Sequence, residues 1–204
     1  MTLYVLAIIG ALGCADSLII NPTRFWANWL VWSLMLVSAG LGSLFLVAIE
    51  HLTGARWSIP LRRTAERVAS LLVPGSLALL AALMGIPVLF PWAQPGWPEN
   101  PLQIGKTAWL NIPFFTARAI ACAALWLVSL KVLAGGSLEL DRTRDPKLLL
   151  RLQRFSPFFL AVFALTVTVT AFDWISSLSP EWYSDVLGVY LFAGVFLSGL
   201  SAVS

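Results

Sequence analysis

The sequence has few of the residues that build metal centres, disulfide frameworks and soluble active sites. Its 204 residues include two Cys and one His, and only 11% are charged. Cys14 and Cys122 form no CxxC pair, which argues against a Cys-ligated metal or a disulfide framework. His51 alone cannot supply the two axial His ligands usual for a membrane b-type haem. Phosphate loops, dinucleotide fingerprints and catalytic triads are also absent. We therefore expect this chain to bind no metal and no haem.

Apolar residues dominate instead, at 59% of the chain. Six apolar stretches each approach the ~20 residues that cross a bilayer as a helix. They predict an all-α, polytopic transmembrane bundle, with a first four-helix bundle over about 1–135, a cytoplasmic loop, and further helices over about 157–204. The last stretch reaches Ser204 without a polar flank, which predicts a fragment of a longer protein. The predicted spans are 3–20, 28–49, 68–90, 112–134, 158–175 and 186–204.

Basic residues are concentrated in alternate loops. Nine Lys and Arg lie in the loops 51–67 and 135–156, whereas the other loops hold only Arg24 and Lys106. The positive-inside rule therefore predicts that both basic loops and the N-terminus are cytoplasmic. Topology and lipid contacts explain these residues better than nucleic-acid binding does.

Three predicted spans carry an ionisable residue at one depth. At 1.5 Å of rise per residue, Asp16, Arg118 and Asp173 all lie roughly 6 to 9 Å below the outer surface. An isolated Arg inside a span is unfavourable by at least ~2.5 kcal/mol, so we expect Arg118 to pair with Asp173 on the neighbouring span.

This group could have a chemical or a purely structural role. Thr166, Thr170 and Asp173 share one helix face, and such a series of hydroxyls could pass protons to a carboxylate. Alternatively, the hydroxyls bond backbone carbonyls and the ion pair only holds two helices together.

Glu50 and His51 close the second predicted span at its basic end. Both could serve proton uptake at the membrane boundary. Alternatively, His51 stabilises the end of a helix that Gly54 terminates.

Several segments resemble, in order, the F-type membrane subunit of bacterial alternative complex III, a quinol:cytochrome c oxidoreductase. The resemblance extends over residues of about 20–200. The segments are HLTGARWSIPLRR (51–63), FPWAQP (90–95), LNIPFFTARA (110–119), SLELDRTRDPKLLLRL (137–152) and FDWISSLSPEWYSDVLGVYLFAG (172–194).

The resemblance implies a parent protein of about ten spans, related to the membrane subunits of polysulfide reductase, in a bacterial inner membrane. It also implies partners: a sister membrane subunit, an iron–sulfur subunit and cytochrome c subunits. Haem c and iron–sulfur clusters would then belong to those partners, and menaquinol or ubiquinol would be the electron donor. By the same resemblance, the sister membrane subunit would be the stronger candidate for quinol oxidation, and this subunit would support quinone binding or proton movement without being catalytic alone.

Two other functions are compatible with the residues. A secondary transporter would show inverted repeats and helices broken at the membrane midplane. The sequence shows neither pattern, although Pro74 and Pro87 in the third span leave room for a broken helix. The chain could also be a purely structural anchor of a respiratory complex.

Overall fold

The fold is all-α. The computed structural model describes residues 10, 13–14, 16–55, 59–98 and 101–204, and this part of the chain is 84% helical without any strand. The α-helices are α1 Pro22–Thr53, α2 Ile59–Ala69, α3 Leu72–Ala81, α4 Ile86–Leu89, α5 Pro101–Ile104, α6 Ile112–Leu130, α7 Gly136–Thr143, α8 Pro146–Thr170 and α9 Leu187–Val203. Two π-helical turns, Lys131–Gly135 and Ala171–Ile175, extend α6 and α8, and single 3-10 turns occupy Ala82–Gly85, Pro91–Ala93 and Ser176–Leu178.

Four helical runs are long and apolar enough to cross a membrane: Pro22–Thr53, Leu61–Leu89, Ile112–Thr143 and Pro146–Leu178. They indicate a membrane protein, and they contain the second, fourth and fifth predicted spans and all of the third except Phe90. Helix α9, at the sixth predicted span, is apolar but has only 17 residues. The first predicted span, 3–20, lies largely outside the described residues. The total of six spans therefore stays a prediction.

The helices extend further into the basic segments than the sequence predicted. Most of 135–156, predicted as a loop, belongs to α7 and α8, and only Arg144 and Asp145 separate them. Arg144 adopts a left-handed conformation with φ 52°, and the Asp145 side chain accepts a hydrogen bond of 2.9 Å from the Lys147 N–H. This cap and Pro146 in the first turn favour an immediate start of α8. We call the end of the bundle where α7 meets α8 the basic end.

Helix α1 is the centre of the bundle, because it packs against α2, α3, α8 and α9. Its closest neighbour is α9, where Gly42 and Gly199 bring the two backbones into direct contact. A Cβ atom added at Gly199 would lie 2.6 Å from the Ser43 backbone nitrogen. No side chain fits at this crossing unless the helices separate.

We predict that Gly199→Ala lowers the free energy of unfolding by about 1–3 kcal/mol, because the new methyl group forces α1 and α9 apart. Gly194→Ala on the same helix is the matched control, since a Cβ there meets open space. The control should be neutral or stabilising by up to ~1 kcal/mol. Unfolding in mixed detergent micelles measures both, and equal losses would contradict the close crossing.

Candidate functional site

The two charged residues of the site are placed by the ends of two long helices. Asn111 begins α6, since its side chain accepts a hydrogen bond of 3.0 Å from the Phe114 N–H, and Arg118 lies in the second turn of that helix. Asp173 lies in the π-helical turn Ala171–Ile175 that extends α8. Turns of this kind are frequent at functional sites.

Arg118 and Asp173 form the predicted ion pair. The Arg118 Nε donates to Asp173 Oδ2 at 2.7 Å, and its Nη2 donates to Asp173 Oδ1 at 2.9 Å. The side chains are only 10% and 3% exposed. This two-point geometry is the strong form of an Arg–carboxylate contact. The sequence-based pairing is confirmed.

Trp109 completes the ion pair from the segment that precedes α6. Its Nε1 donates to Asp173 Oδ1 at 2.9 Å, and its backbone carbonyl accepts from Arg118 Nη2 at 3.1 Å. The Arg118 guanidinium lies 4.1 Å from the Trp109 ring centroid and 4.3 Å from that of Phe114, within the range of cation–π attraction. Asp173 thus accepts three hydrogen bonds, which satisfy its charge. Trp109 was not predicted in this role, and the only signal for it in the sequence was its position nine residues before Arg118.

The predicted hydroxyl face exists, but its hydroxyls do not bond one another. Thr166, Thr170, Asp173 and Ser177 are all buried. Thr166 Oγ1 donates to the Val162 carbonyl at 2.8 Å, Thr170 Oγ1 donates to the Thr166 carbonyl at 2.7 Å, and Ser177 donates to the Asp173 carbonyl. Backbone bonding of this kind is the structural role that the sequence left open. A proton path through Thr166 and Thr170 to Asp173 stays a prediction.

Asp16 is not part of the ion pair. It is exposed and makes no hydrogen bond or ion pair with any residue that the structure describes. The structure therefore joins two of the three charges predicted at one depth. A proton-carrying or quinone-binding role for Asp16 stays a prediction.

Glu50 and His51 lie at the basic end, far along the chain from the ion pair. His51 is buried at 4% exposure, and its Nδ1 contacts the Val47 carbonyl at 2.8 Å. Glu50 pairs with Arg62 at 3.3 Å, and Gly54 ends α1 in a left-handed conformation, as predicted. The contacts of these residues fit the helix-end role, and proton uptake stays a prediction.

The basic end also contains an ion-pair network that the sequence analysis missed. Arg63 bonds both Glu66 on its own helix and Asp141 on α7, and its Nη2 donates to the Ser137 carbonyl at 3.4 Å. The network links the second and third long runs. The only signal for this network in the sequence was a single Glu among the four Arg of 56–67. Those four Arg were interpreted as topology signals.

A cavity of about 300 Å³ adjoins the Arg118–Asp173 pair. Trp109 lines it and also donates to Asp173, so the ion pair orients one wall of the cavity. Phe172 and Trp182 are two further aromatic walls, and Lys106 and Ser176 add polar groups. Lys106 also donates to the Pro180 carbonyl, which ties the segment before α6 to the segment after α8. The cavity is mostly apolar, and its Trp109 wall contacts the buried carboxylate of Asp173.

We predict strong energetic coupling between Arg118 and Asp173. Each single change to Ala leaves a buried charge unpaired and should lower the free energy of unfolding by about 3–5 kcal/mol. The double variant should lose less than the sum of the two. Denaturant titration in detergent micelles gives the free energy of unfolding of the wild type, the two single variants and the double variant.

The more exposed pair of Arg62 and Glu50, with a single contact at 3.3 Å, is the matched control and should show a smaller coupling. Additive losses for Arg118 and Asp173 would mean that their contact contributes no coupling energy.

The described residues include no group of three or more His, Cys, Asp or Glu side chains that could hold a metal ion. The assignment of haem and iron–sulfur clusters to partner subunits stays a prediction. Among known proteins, no family model matches this chain, and no curated protein gives a significant match.

Proposed function

We propose that this chain is an integral membrane subunit of a quinol-oxidising respiratory assembly of the alternative complex III type, in a bacterial inner membrane. The ordered resemblance of five sequence segments supports the family. The four apolar helical runs support the membrane location. The aromatic cavity beside the buried ion pair is the observation that carries the function within this chain.

The cavity suits the headgroup of a quinol. Such a ring is flat and apolar, with two oxygens on opposite edges, and it packs best between aromatic side chains. Trp109 and Trp182 offer such walls, while Ser176 and Lys106 offer donors to the ring oxygens. A volume of about 300 Å³ accommodates a headgroup and leaves the isoprenoid tail outside, among the helices or in lipid.

The Arg118–Asp173 pair would position this site rather than take the proton. Oxidation of a quinol releases two electrons and two protons. The electrons would go to metal cofactors of the partner subunits, and the protons to water at the outer surface. Asp173 already accepts three hydrogen bonds, two from a cation, so its protonation would disrupt the pair. The role of Asp173 would be to hold the Trp109 side chain against the quinol ring.

The helix geometry gives less support to a transporter. The third predicted span is interrupted by the 3-10 turn Ala82–Gly85, and the helical run ends soon afterwards at Leu89. Transporter sites are built from helices broken near the membrane midplane, whereas this interruption lies four residues before the end of the helical run Leu61–Leu89.

Redox difference spectra of the assembly that co-purifies with this chain test the proposed function. Quinol addition should reduce haem c, and iron–sulfur signals should accompany the chain in constant proportion. If the chain purified from native membranes and no redox cofactor co-purified with it, the proposal would be contradicted.

We predict that Asp173→Asn leaves the assembly intact but lowers quinol oxidation roughly tenfold or more, because a neutral amide holds Arg118 and Trp109 less firmly. The KM for quinol should rise as the Trp109 wall loosens. Asp141→Asn, an exposed acidic residue at the basic end, is the control and should leave turnover unchanged. Wild-type turnover in the Asp173 variant, with unchanged haem content, would assign the ion pair a purely structural role.

A further inference from the structure

A second cavity, of about 400 Å³, lies at the basic end. One wall comes from α2 and the residue after it, with Arg63, Glu66, Arg67 and Ser70. The other comes from the π-helical turn after α6 and the start of α7, and it includes Lys131 and Leu138. We call it the basic cavity. It is remote from the Arg118–Asp173 pair, because it adjoins the opposite end of α6.

Two cations at the rim of the basic cavity are unpaired. Arg63 is neutralised, because it bonds both Glu66 and Asp141. Arg67 and Lys131 are exposed, and neither forms an ion pair within the part of the chain that the structure describes. The uncompensated charge is therefore positive, and it comes from two helices that converge on one opening.

The basic cavity also holds a buried acceptor that lacks a donor. The Glu66 side chain is only 5% exposed, and its Oε1 has no hydrogen-bond partner among the described residues. A buried carboxylate oxygen without a donor is unfavourable. A ligand that combined an anionic group with a hydroxyl group would satisfy the two cations and this acceptor together.

Exposed apolar side chains continue from the basic cavity along α3 and along α6. Leu138 lines the cavity and is itself exposed. Val73 and Leu77, four residues apart on α3, are exposed beyond the α2 wall, and Val128 is exposed one turn before Lys131. Because α3 leaves the basic end and α6 approaches it, both apolar tracks run from the cavity towards the middle of the bundle. A free phosphate ion would use the cations but not these tracks.

We propose that the basic cavity binds an anionic phospholipid with a hydroxyl-bearing headgroup, of the phosphatidylglycerol type. Its phosphodiester lies between Arg67 and Lys131, a headgroup hydroxyl donates to Glu66 Oε1, and its acyl chains lie along the exposed side chains of α3 and α6. Basic recesses between transmembrane helices are typical sites for such headgroups.

The test uses the full chain, purified in detergent and stripped of lipid, with native mass spectrometry of bound lipid as the readout. Phosphatidylglycerol should bind in preference to phosphatidylcholine with the same acyl chains. Arg67→Gln and Lys131→Gln should each weaken phosphatidylglycerol binding roughly fivefold, and the double variant roughly thirtyfold. The double variant Arg67→Lys with Lys131→Arg, which keeps both positive charges, should bind phosphatidylglycerol nearly as well as the wild type does.

The matched control is Arg142→Gln with Lys147→Gln, two exposed cations at the same end that do not line the cavity. It should change binding less than about twofold, since exposed charges outside the site are screened. An equal loss of phosphatidylglycerol binding in this control would mean that general attraction to surface charge, and not the basic cavity, accounts for the binding. If glycerol 3-phosphate displaced the lipid at an equal concentration, the basic cavity would be a site for soluble phosphates and not for a lipid.

The lipid preference of the wild type needs no variant, so a variant that fails to fold does not weaken the test. Equal binding of phosphatidylglycerol and phosphatidylcholine by the wild type would overturn the proposal.

Discussion

A buried arginine in an apolar helix requires a partner, and the contact between Arg118 and Asp173 meets that requirement at two points. The pair joins α6 to the π-helical turn that follows α8, and Trp109 connects the segment before α6 to the same carboxylate. If either charge were lost, the other would remain in a poorly solvated site. The aromatic cavity depends on this contact, because Trp109 is both a donor to Asp173 and a wall of the cavity.

The two ends of the bundle use charge differently. Near the Arg118–Asp173 pair, one cation is matched to one carboxylate and enclosed by the Trp109 and Phe114 rings. At the basic end, Arg63 bridges Glu66 and Asp141, whereas the exposed Arg67 and Lys131 form no ion pair with any residue that the structure describes. A matched, enclosed pair fixes geometry, whereas unpaired surface cations are available to an anionic ligand. The first arrangement therefore suits a precise binding wall, and the second suits contact with lipid.

The helix hydrophobicity and the Arg118–Asp173 contact could be predicted from the sequence, because span length and helical rise placed both residues at one depth. Trp109 and Glu66 could not be identified in this way, since their roles depend on how a connecting segment folds and how α2 faces α7. The helical state of residues 136–143 was also missed. Charged residues at a helix end resemble a loop in composition, and α7 has no side-chain cap at its start that could have distinguished it.

The ionisation state of Asp173 tests the central role of the ion pair most directly. Isotope-edited infrared difference spectra between the wild type and Asp173→Asn would isolate this one side chain in the folded protein. An ionised, strongly hydrogen-bonded carboxylate predicts a carboxylate stretch at neutral pH that disappears in the variant, with no protonated carboxyl band. A protonated carboxyl band from Asp173 in the wild type at neutral pH would contradict the ion pair and the positioning role built on it.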